Sequence, residues 1–356
     1  MSATWGKNFK ISIFGESHGS HIGIVIDGIP SGTEIDMEYI MKEMKRRAPG
    51  RDLLSTQRKE EDIPQIISGV FNGYATGAPL TMIIKNKDHR SKDYSKIKDV
   101  MRPGHADYSA YVKYDGYNDY RGSGHFSGRI TAPIVFVGAI ARKILENKKI
   151  YIGSHAQRIG MVEDRLFEDG DLTKEKFDDL RTERIPLLND IEKEATLEIE
   201  NAKKEGDSIG GVVECAIIGL KAGIGSPFFG SVESVISSMM FSIPAVKGIE
   251  FGSGFEIAKM KGSMANDEFY CEDKRIKTKT NHNGGINGGI TNGMPIVFRL
   301  AIKPPSSISK VQNTINISTG KETTLSVEGR HDPIIIPRAI PVIEAATAIC
   351  ILDMIM

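Results

Sequence analysis

Cysteine and net charge are both scarce in this sequence. The three cysteines, Cys215, Cys271 and Cys350, are odd in number and far apart. They lack the paired spacing that builds a disulfide framework or a zinc site, and a reducing cytoplasm is the expected compartment. The 46 Lys and Arg residues equal the 46 Asp and Glu residues. No global field therefore draws the chain to nucleic acid or to an anionic membrane, and any affinity for anions must come from local clustering. Long apolar runs are missing too. Ala132 to Ala141 reaches only about half of the roughly 20 residues a membrane span requires, and Ala339 to Met356 is interrupted by Glu344 and Asp353. Both are expected as buried helices. The polar stretch Met1 to Lys10 is not read as a signal peptide.

What is present is enough for a large core, since 40% of the 356 residues are hydrophobic. Strands are expected at Ile11 to Phe14, Val25 to Asp27, Ile66 to Val70, Leu80 to Ile84, Val212 to Ile217 and Ile296 to Ile302. Each is rich in β-branched or apolar residues, most of them bounded by Gly or Pro. Helices are expected at Met37 to Arg47, after the cap Asp36, and at Ile191 to Lys204, with a capping box from Asn189 to Glu192 and a stop at Gly206. Two segments echo each other. Gly23-Ile24-Val25 matches Gly211-Val212-Val213, and Gly77-Ala78-Pro79-Leu80 matches Gly293-Met294-Pro295-Ile296, which suggests two similar sheets within one domain. Lys85 to Gly104, Cys271 to Gly293 and Ser306 to Thr324 are too polar and glycine-rich for core and are expected as functional loops.

Five of the eight histidines sit in tight polar turns: His18, His105, His125, His282 and His331. A histidine on a turn can present a titrating nitrogen to a ligand near neutral pH; singly, each could equally be a surface or capping residue. Arg102, Arg121, Arg129 and Arg330 lie within a few residues of these turns, and guanidinium forks match phosphate and carboxylate bidentately. Together they predict a small-molecule substrate with more than one anionic group. Arg46 and Arg47 could serve instead as cations at a helix C-terminus. A metal-dependent phosphoesterase is the alternative, because His18 and His21 are three apart and His331 adjoins Asp332, but carboxylates near the turns are few. Gly284-Gly285-Ile286-Asn287-Gly288-Gly289 does not stand between an expected strand and helix, which excludes a Rossmann fingerprint.

The motifs closely resemble one family, the chorismate synthases. The matching pieces are Phe14-Gly15-Glu16-Ser17-His18-Gly19, Asp93-Tyr94 with Arg102-Pro103-Gly104-His105-Ala106-Asp107, Asp119-Tyr120-Arg121-Gly122, Asn281-His282 with Gly284-Gly285, and Gly329-Arg330-His331-Asp332-Pro333. They follow the family's order over nearly the whole chain. The resemblance implies conversion of 5-enolpyruvylshikimate 3-phosphate to chorismate and phosphate, the last step of the shikimate pathway. That reaction is a 1,4-anti elimination needing reduced FMN without net redox change, with an NADPH-linked reductant. It also implies an α+β layered sandwich with helices between two largely antiparallel sheets, and a homotetramer.

By position, the resemblance makes His105 a proton donor to reduced flavin and His18, beside Ser17, an aid to phosphate departure. Asp332 and Ser127 match residues that help the flavin N5 accept and pass on the substrate proton. The implied flavin contacts are His125, Phe126, Ser127, Pro244, Ala245, Gly288, Lys303, Pro304, Pro305, Ser306, Ser307 and Arg330. Arg47 matches a position tied to nicotinamide cofactor or substrate. Substrate contacts fall on Arg46, Arg47, Arg102, Arg129 and Arg330; no metal is implied. Where many members read Arg-Ser-Ser-Ala-Arg-Glu, this chain has His125-Phe126-Ser127-Gly128-Arg129-Ile130, and Pro244 stands where Asn or Gln is common.

Overall fold

The computed structural model describes residues 3–49, 62–86, 98–182, 184–327 and 332–356. Two antiparallel sheets dominate these residues. The first contains β1 (Lys10–Gly15), β2 (His21–Asp27), β3 (Pro64–Ser68) and β4 (Leu80–Lys85) in the order β1-β2-β4-β3. The second contains β5 (Tyr151–Ile159), β6 (Gly211–Ile218), β7 (Val246–Phe251) and β8 (Ile296–Ile302) in the order β5-β6-β8-β7. Each sheet adds one short edge strand, Thr4–Trp5 beside β1 and Val162–Glu163 beside β5.

The two orders are the same order shifted by four strands, so the repeat read from sequence is a structural repeat. Gly23-Ile24-Val25 lies in β2 and Gly211-Val212-Val213 opens β6, the strands second in each order. The two Gly-X-Pro segments lead into β4 and β8. Register keeps apolar residues in line across each sheet: Ile24 faces Ile13 and Met82, while Cys215 faces Phe298. Such alignment fixes register, because a slip of one residue would turn every inward side chain outward.

Between the sheets pack α1 (Met37–Arg47), α2 (Ala132–Asn147) and α3 (Ile336–Ile355). Asp36 caps α1 as expected, accepting from Tyr39 N at 3.0 Å. The two apolar segments form α2 and α3, and α3 is buried on nearly every face. That accounts for its lack of an amphipathic pattern. Among the described residues no helix is long and apolar enough to cross a membrane.

Other expectations need correction. The helix after Asn189 runs Glu192–Lys204 and is preceded by Ile191 with no side-chain cap, so the capping box is not formed. Two of the expected loops hold hairpins, Phe269–Glu272 with Arg275–Thr278 and Gln312–Asn316 with Lys321–Leu325. Phe269–Glu272 is exposed throughout, and the second hairpin is built mostly of polar residues, so neither shows the apolar alternation by which strands are recognised.

Charge is carried into the helical layer. Arg46 Nη1 binds Glu344 Oε2 at 2.7 Å and Glu43 Oε2 at 2.8 Å; Arg142 reaches Glu344 at 2.9 Å, and Arg181 binds Glu43 at 2.5 Å. Glu146 lies 3.4 Å from Arg142 and 3.3 Å from Arg181, so three guanidiniums meet three carboxylates. Burial alone would raise the Glu43 pKa, but Arg46, Arg142 and Arg181 overcome it and hold the carboxyl at about 2. Glu344 is lowered for the same reason, burial being outweighed by Arg46 and Arg142. A depressed folded-state value means that the stabilisation is complete above the unfolded value of roughly 4.3 and is lost as pH falls toward the folded one. Denaturant midpoints measured from about pH 5 downward should therefore fall below roughly pH 4.5, and less steeply in Glu344→Gln, which cannot titrate there. A midpoint constant down to about pH 3 would contradict this.

The α2–α3 crossing gives a second test. A Cβ added at Gly138 would lie 2.2 Å from Ala345 Cβ and 2.4 Å from its Cα. Gly138→Ala gains roughly 1 kcal/mol in helix propensity but overpacks the crossing at a cost of about 1–3 kcal/mol. We expect net destabilisation in chemical denaturation, relieved by adding Ala345→Gly; a stabilised Gly138→Ala would show that the helices can part freely.

Candidate active site

The loop after β1 and the turn before α2 are folded against one another. Gly122, Ser123 and Gly124 take φ values of 56°, 72° and 53°, three successive residues in the left-handed region. Glycine adopts this conformation readily and serine seldom. Ser17 N donates to Gly124 O at 3.1 Å, and Ser17 Oγ donates to Gly122 O at 2.7 Å. His18, 5% exposed, packs on Gly122: a Cβ there would come within 2.3 Å of its Cδ2 and 2.7 Å of Ser17 Oγ. Arg121 is held by Asp119 through Nε at 2.9 Å and Nη2 at 2.8 Å. His125 Nδ1 lies 2.8 Å from Gly15 O; a carbonyl only accepts, so Nδ1 is the donor.

Ser123 carries the site onward to the Arg102 turn. Its Oγ lies 3.1 Å from His105 Nε2 and 3.2 Å from Arg102 Nη2. Arg102, buried, grips Asp107 with Nε and Nη2, both at 2.7 Å, and Nη1 donates to Ser307 Oγ at 3.2 Å. Lys303 Nζ donates to Gly104 O and to Ser306 Oγ, the latter at 2.7 Å. Burial, with Lys247 adding repulsion, lowers the Lys303 pKa. Pro304 sits against Gly210, and Pro305 O accepts from Ser208 Oγ at 2.7 Å, which fixes the chain that presents Ser306 and Ser307. Lys303 N donates to Ala245 O at 2.9 Å, joining the Pro244-Ala245 turn to this wall.

A third run of contacts leads the other way. Asn86 Nδ2 donates to Glu16 O at 3.0 Å and Gly19 O at 2.8 Å, and Oδ1 accepts from Arg129 Nε at 2.5 Å. The buried Asp62 bridges Arg129 Nη1 at 2.7 Å and Arg47 Nη2 at 3.0 Å. Ser127 Oγ accepts from Arg129 N at 3.3 Å. The Arg47 carbonyl accepts from Arg338 Nε at 3.2 Å, and Arg338 Nη1 binds Asp332 Oδ2 at 2.5 Å.

Of the residues expected from sequence, Ser17, His18, Arg102, His105, His125, Ser127, Arg129, Lys303, Ser306, Ser307, Arg47 and Asp332 thus belong to one contiguous set. Arg46 does not. Expected as a substrate contact, it is a core residue whose guanidinium is committed to Glu43 and Glu344. Phe126 is partly exposed, its ring tilted toward Tyr114 at 6.3 Å. Gly288, with φ of 60° and open space where a Cβ would stand, lies in a separate turn with the Asn281-to-Gly285 segment. Asp93, Tyr94, Arg330 and His331 lie outside the described residues. Asp62, Asn86, Ser123 and Arg338 were not anticipated. Only Ser123 had a local signal, a hydroxyl between two glycines in a histidine turn.

The chain matches the family model described as chorismate synthase over residues 9–356. The chorismate synthase of Pyrococcus abyssi (strain GE5 / Orsay) is 46% identical over 352 residues, 98% of this chain and 96% of the relative. That of Methanocaldococcus jannaschii is 45% identical over 363 residues, 99% and 95% of the two chains. A crystal structure of chorismate synthase superposes with a TM-score of 0.73 at 30% identity, covering 98% of this chain and 92% of the other.

Among the described residues, Asp62 is the carboxylate that Arg47 and Arg129 share. Asp62→Asn should cost about 3–5 kcal/mol in unfolding free energy, because it takes a shared buried carboxylate from two guanidiniums. Millimolar phosphate should restore part of it by binding the folded state. Equal stability of variant and wild type in phosphate-free buffer would show that the clamp is dispensable.

Proposed function

We propose, from the premise that the chain belongs to the chorismate synthase family, that the contiguous set around the 122–124 turn is its catalytic centre and that reduced FMN is its cofactor. The chain is the chorismate-forming lyase of the shikimate pathway: 5-enolpyruvylshikimate 3-phosphate loses phosphate and a ring proton to give chorismate. The observation that carries the site assignment is that one turn meets both histidines. Gly122 packs on His18 and Ser123 Oγ reaches His105, although the two lie far apart in sequence.

The residues suit the groups they would hold. Lys303 loses charge preference through burial and a neighbouring lysine, and it donates to the hydroxyl of Ser306, while Arg102 donates to that of Ser307. A phosphate end group would supply the missing anion, and the open space at Gly128 and Gly288 admits close approach to backbone. Lys303 to Ser307, Pro244 with Ala245, His125 to Ser127, Gly288 and Arg330 would hold the flavin. When bound, reduced FMN supplies electron density to an elimination that has no net redox change. His18, buried under Gly122, gives a proton to the departing phosphate. His105 would serve as a proton donor toward the bound cofactor. Asp332 would accept the proton removed from the substrate carbon, and the Ser127 hydroxyl would help to pass it on. Arg102 and Arg129 bind the substrate's phosphate and carboxylates, and Arg47, buried behind Asp62, supports Arg129.

A reductant linked to NADPH regenerates the flavin from outside the chain, which has no long insertion relative to its relatives. A homotetramer fits the aromatic surface at Phe228, Phe229 and Phe255, each more than four-fifths exposed. A cytoplasmic location fits three cysteines that remain free thiols.

Asp332→Asn keeps the shape of the side chain and its contact with Arg338 while removing the base. Single-turnover rates with photoreduced FMN should fall by about 10² to 10⁴, with oxidised FMN still binding at one per chain in absorbance titrations. A variant that keeps more than about a third of the wild-type rate would exclude Asp332 as the base.

A further inference from the structure

The imidazole of His105 is held at both nitrogens. Nδ1 lies 2.6 Å from Asp107 Oδ1, and Nε2 lies 3.1 Å from Ser123 Oγ. Asp107 in turn accepts from Arg102 three times, from N at 3.1 Å and Nε at 2.7 Å on Oδ2 and from Nη2 at 2.7 Å on Oδ1. Burial opposes charge on this carboxyl, but the hydrogen bonds from Arg102 and His105 prevail and keep it well below the usual carboxylate range. An ionised carboxylate cannot donate, so a contact this short with a ring nitrogen requires the proton to be on Nδ1. Arg102 Nη2 also stands 3.2 Å from Nδ1. A guanidinium offers only donors and cannot bond a nitrogen that already carries hydrogen; the shorter carboxylate contact decides between them.

Ser123 is placed by backbone that a serine seldom adopts, at φ of 72° between two left-handed glycines. The hydroxyl can accept from an imidazolium Nε2 and donate to a neutral one, which the carboxylate at Nδ1 cannot do. No turn of the ring is then needed when its proton leaves.

We propose that Asp107 and Ser123 are positioning residues for His105: Asp107 fixes the Nδ1–H tautomer and the ring plane, so that Nε2 is the one nitrogen that gives and regains a proton, and Ser123 holds that nitrogen toward the turn where His18 lies. When the imidazolium releases a proton, the Nε2–H bond breaks and its electron pair stays on Nε2, while Nδ1–H stays with Asp107. The proposal rests on His105 acting as the proton donor.

Two measurements test it. In the full-length chain without cofactor, labelled with ¹⁵N-histidine, long-range proton–nitrogen correlations should show His105 protonated at Nδ1 when the ring is neutral. A neutral ring protonated at Nε2 instead would overturn the proposal without any variant. The second is a double-mutant cycle on turnover with His105→Ala, Asp107→Asn and the pair. Asp107→Asn alone should slow turnover by about 10²-fold, yet in the His105→Ala background it should cost less than about threefold. Additive losses, or a rise in KM that is the same in both backgrounds, would mean that Asp107 acts through Arg102 or the fold, and the proposal fails while His105 keeps its role. A His105→Ala enzyme at the wild-type rate would instead remove His105 from the reaction, and the catalytic meaning of its positioning with it.

Discussion

The site depends on a missing side chain. Gly122 has a left-handed backbone and no Cβ, and the space where a Cβ would stand is filled by the ring of His18 and the hydroxyl of Ser17. Any other residue would push both out of place, and the strain of the turn would rise as well. Because the same turn aims Ser123 at His105 and supplies the carbonyls that anchor Ser17, one backbone conformation sets the relative positions of two histidines and two serines. The turn is supported by its neighbours: Gly124 could not carry a side chain against Asp119 O, and Asp119 is itself tied to Arg121.

Electrostatics divides the molecule into two regimes. In the helical layer every arginine is matched, with Arg46, Arg142 and Arg181 against Glu43, Glu146 and Glu344. Removing any one partner there would expose a buried charge, which costs more than the pair itself contributes. In the candidate site, among the described residues, a carboxylate is shared and a lysine is buried. Asp62 serves two guanidiniums, and Lys303 is discouraged from carrying charge by burial and by Lys247. A chain with no net charge thus gathers guanidiniums and a buried lysine around the proposed catalytic centre.

The sandwich gives these regimes their geometry. Sheets related by the same strand order enclose α1, α2 and α3, while the loops at the strand and helix ends carry the site. Arg46 and Arg47 show how finely that geometry acts. Adjacent at the end of α1, they point to different surroundings, Arg46 into the helical layer and Arg47 to Asp62 beside the site. Helical periodicity turns neighbours by about 100°, so adjacency in sequence does not give the two arginines the same surroundings.

The sequence by itself determined six of the eight principal strands, two of the buried helices and the repeated sheet order, because apolar periodicity and glycine turns are local physical signals, and its motifs pointed to the family by resemblance. It also determined most of the residues that meet in the site, through motifs that each fit within a few positions. The tertiary structure alone decided which charges face each other. Asp62, Asn86 and Arg338 join motifs across long sequence separations, and the assignment of Arg46 to the core depends on Glu344, almost 300 residues away. Pairing of charges is a property of distance in space, and nothing in the order of residues along the chain encodes it locally. The same holds for the hairpins at Phe269–Thr278 and Gln312–Leu325, whose strands are ordered by backbone pairing and carry no apolar alternation to be read.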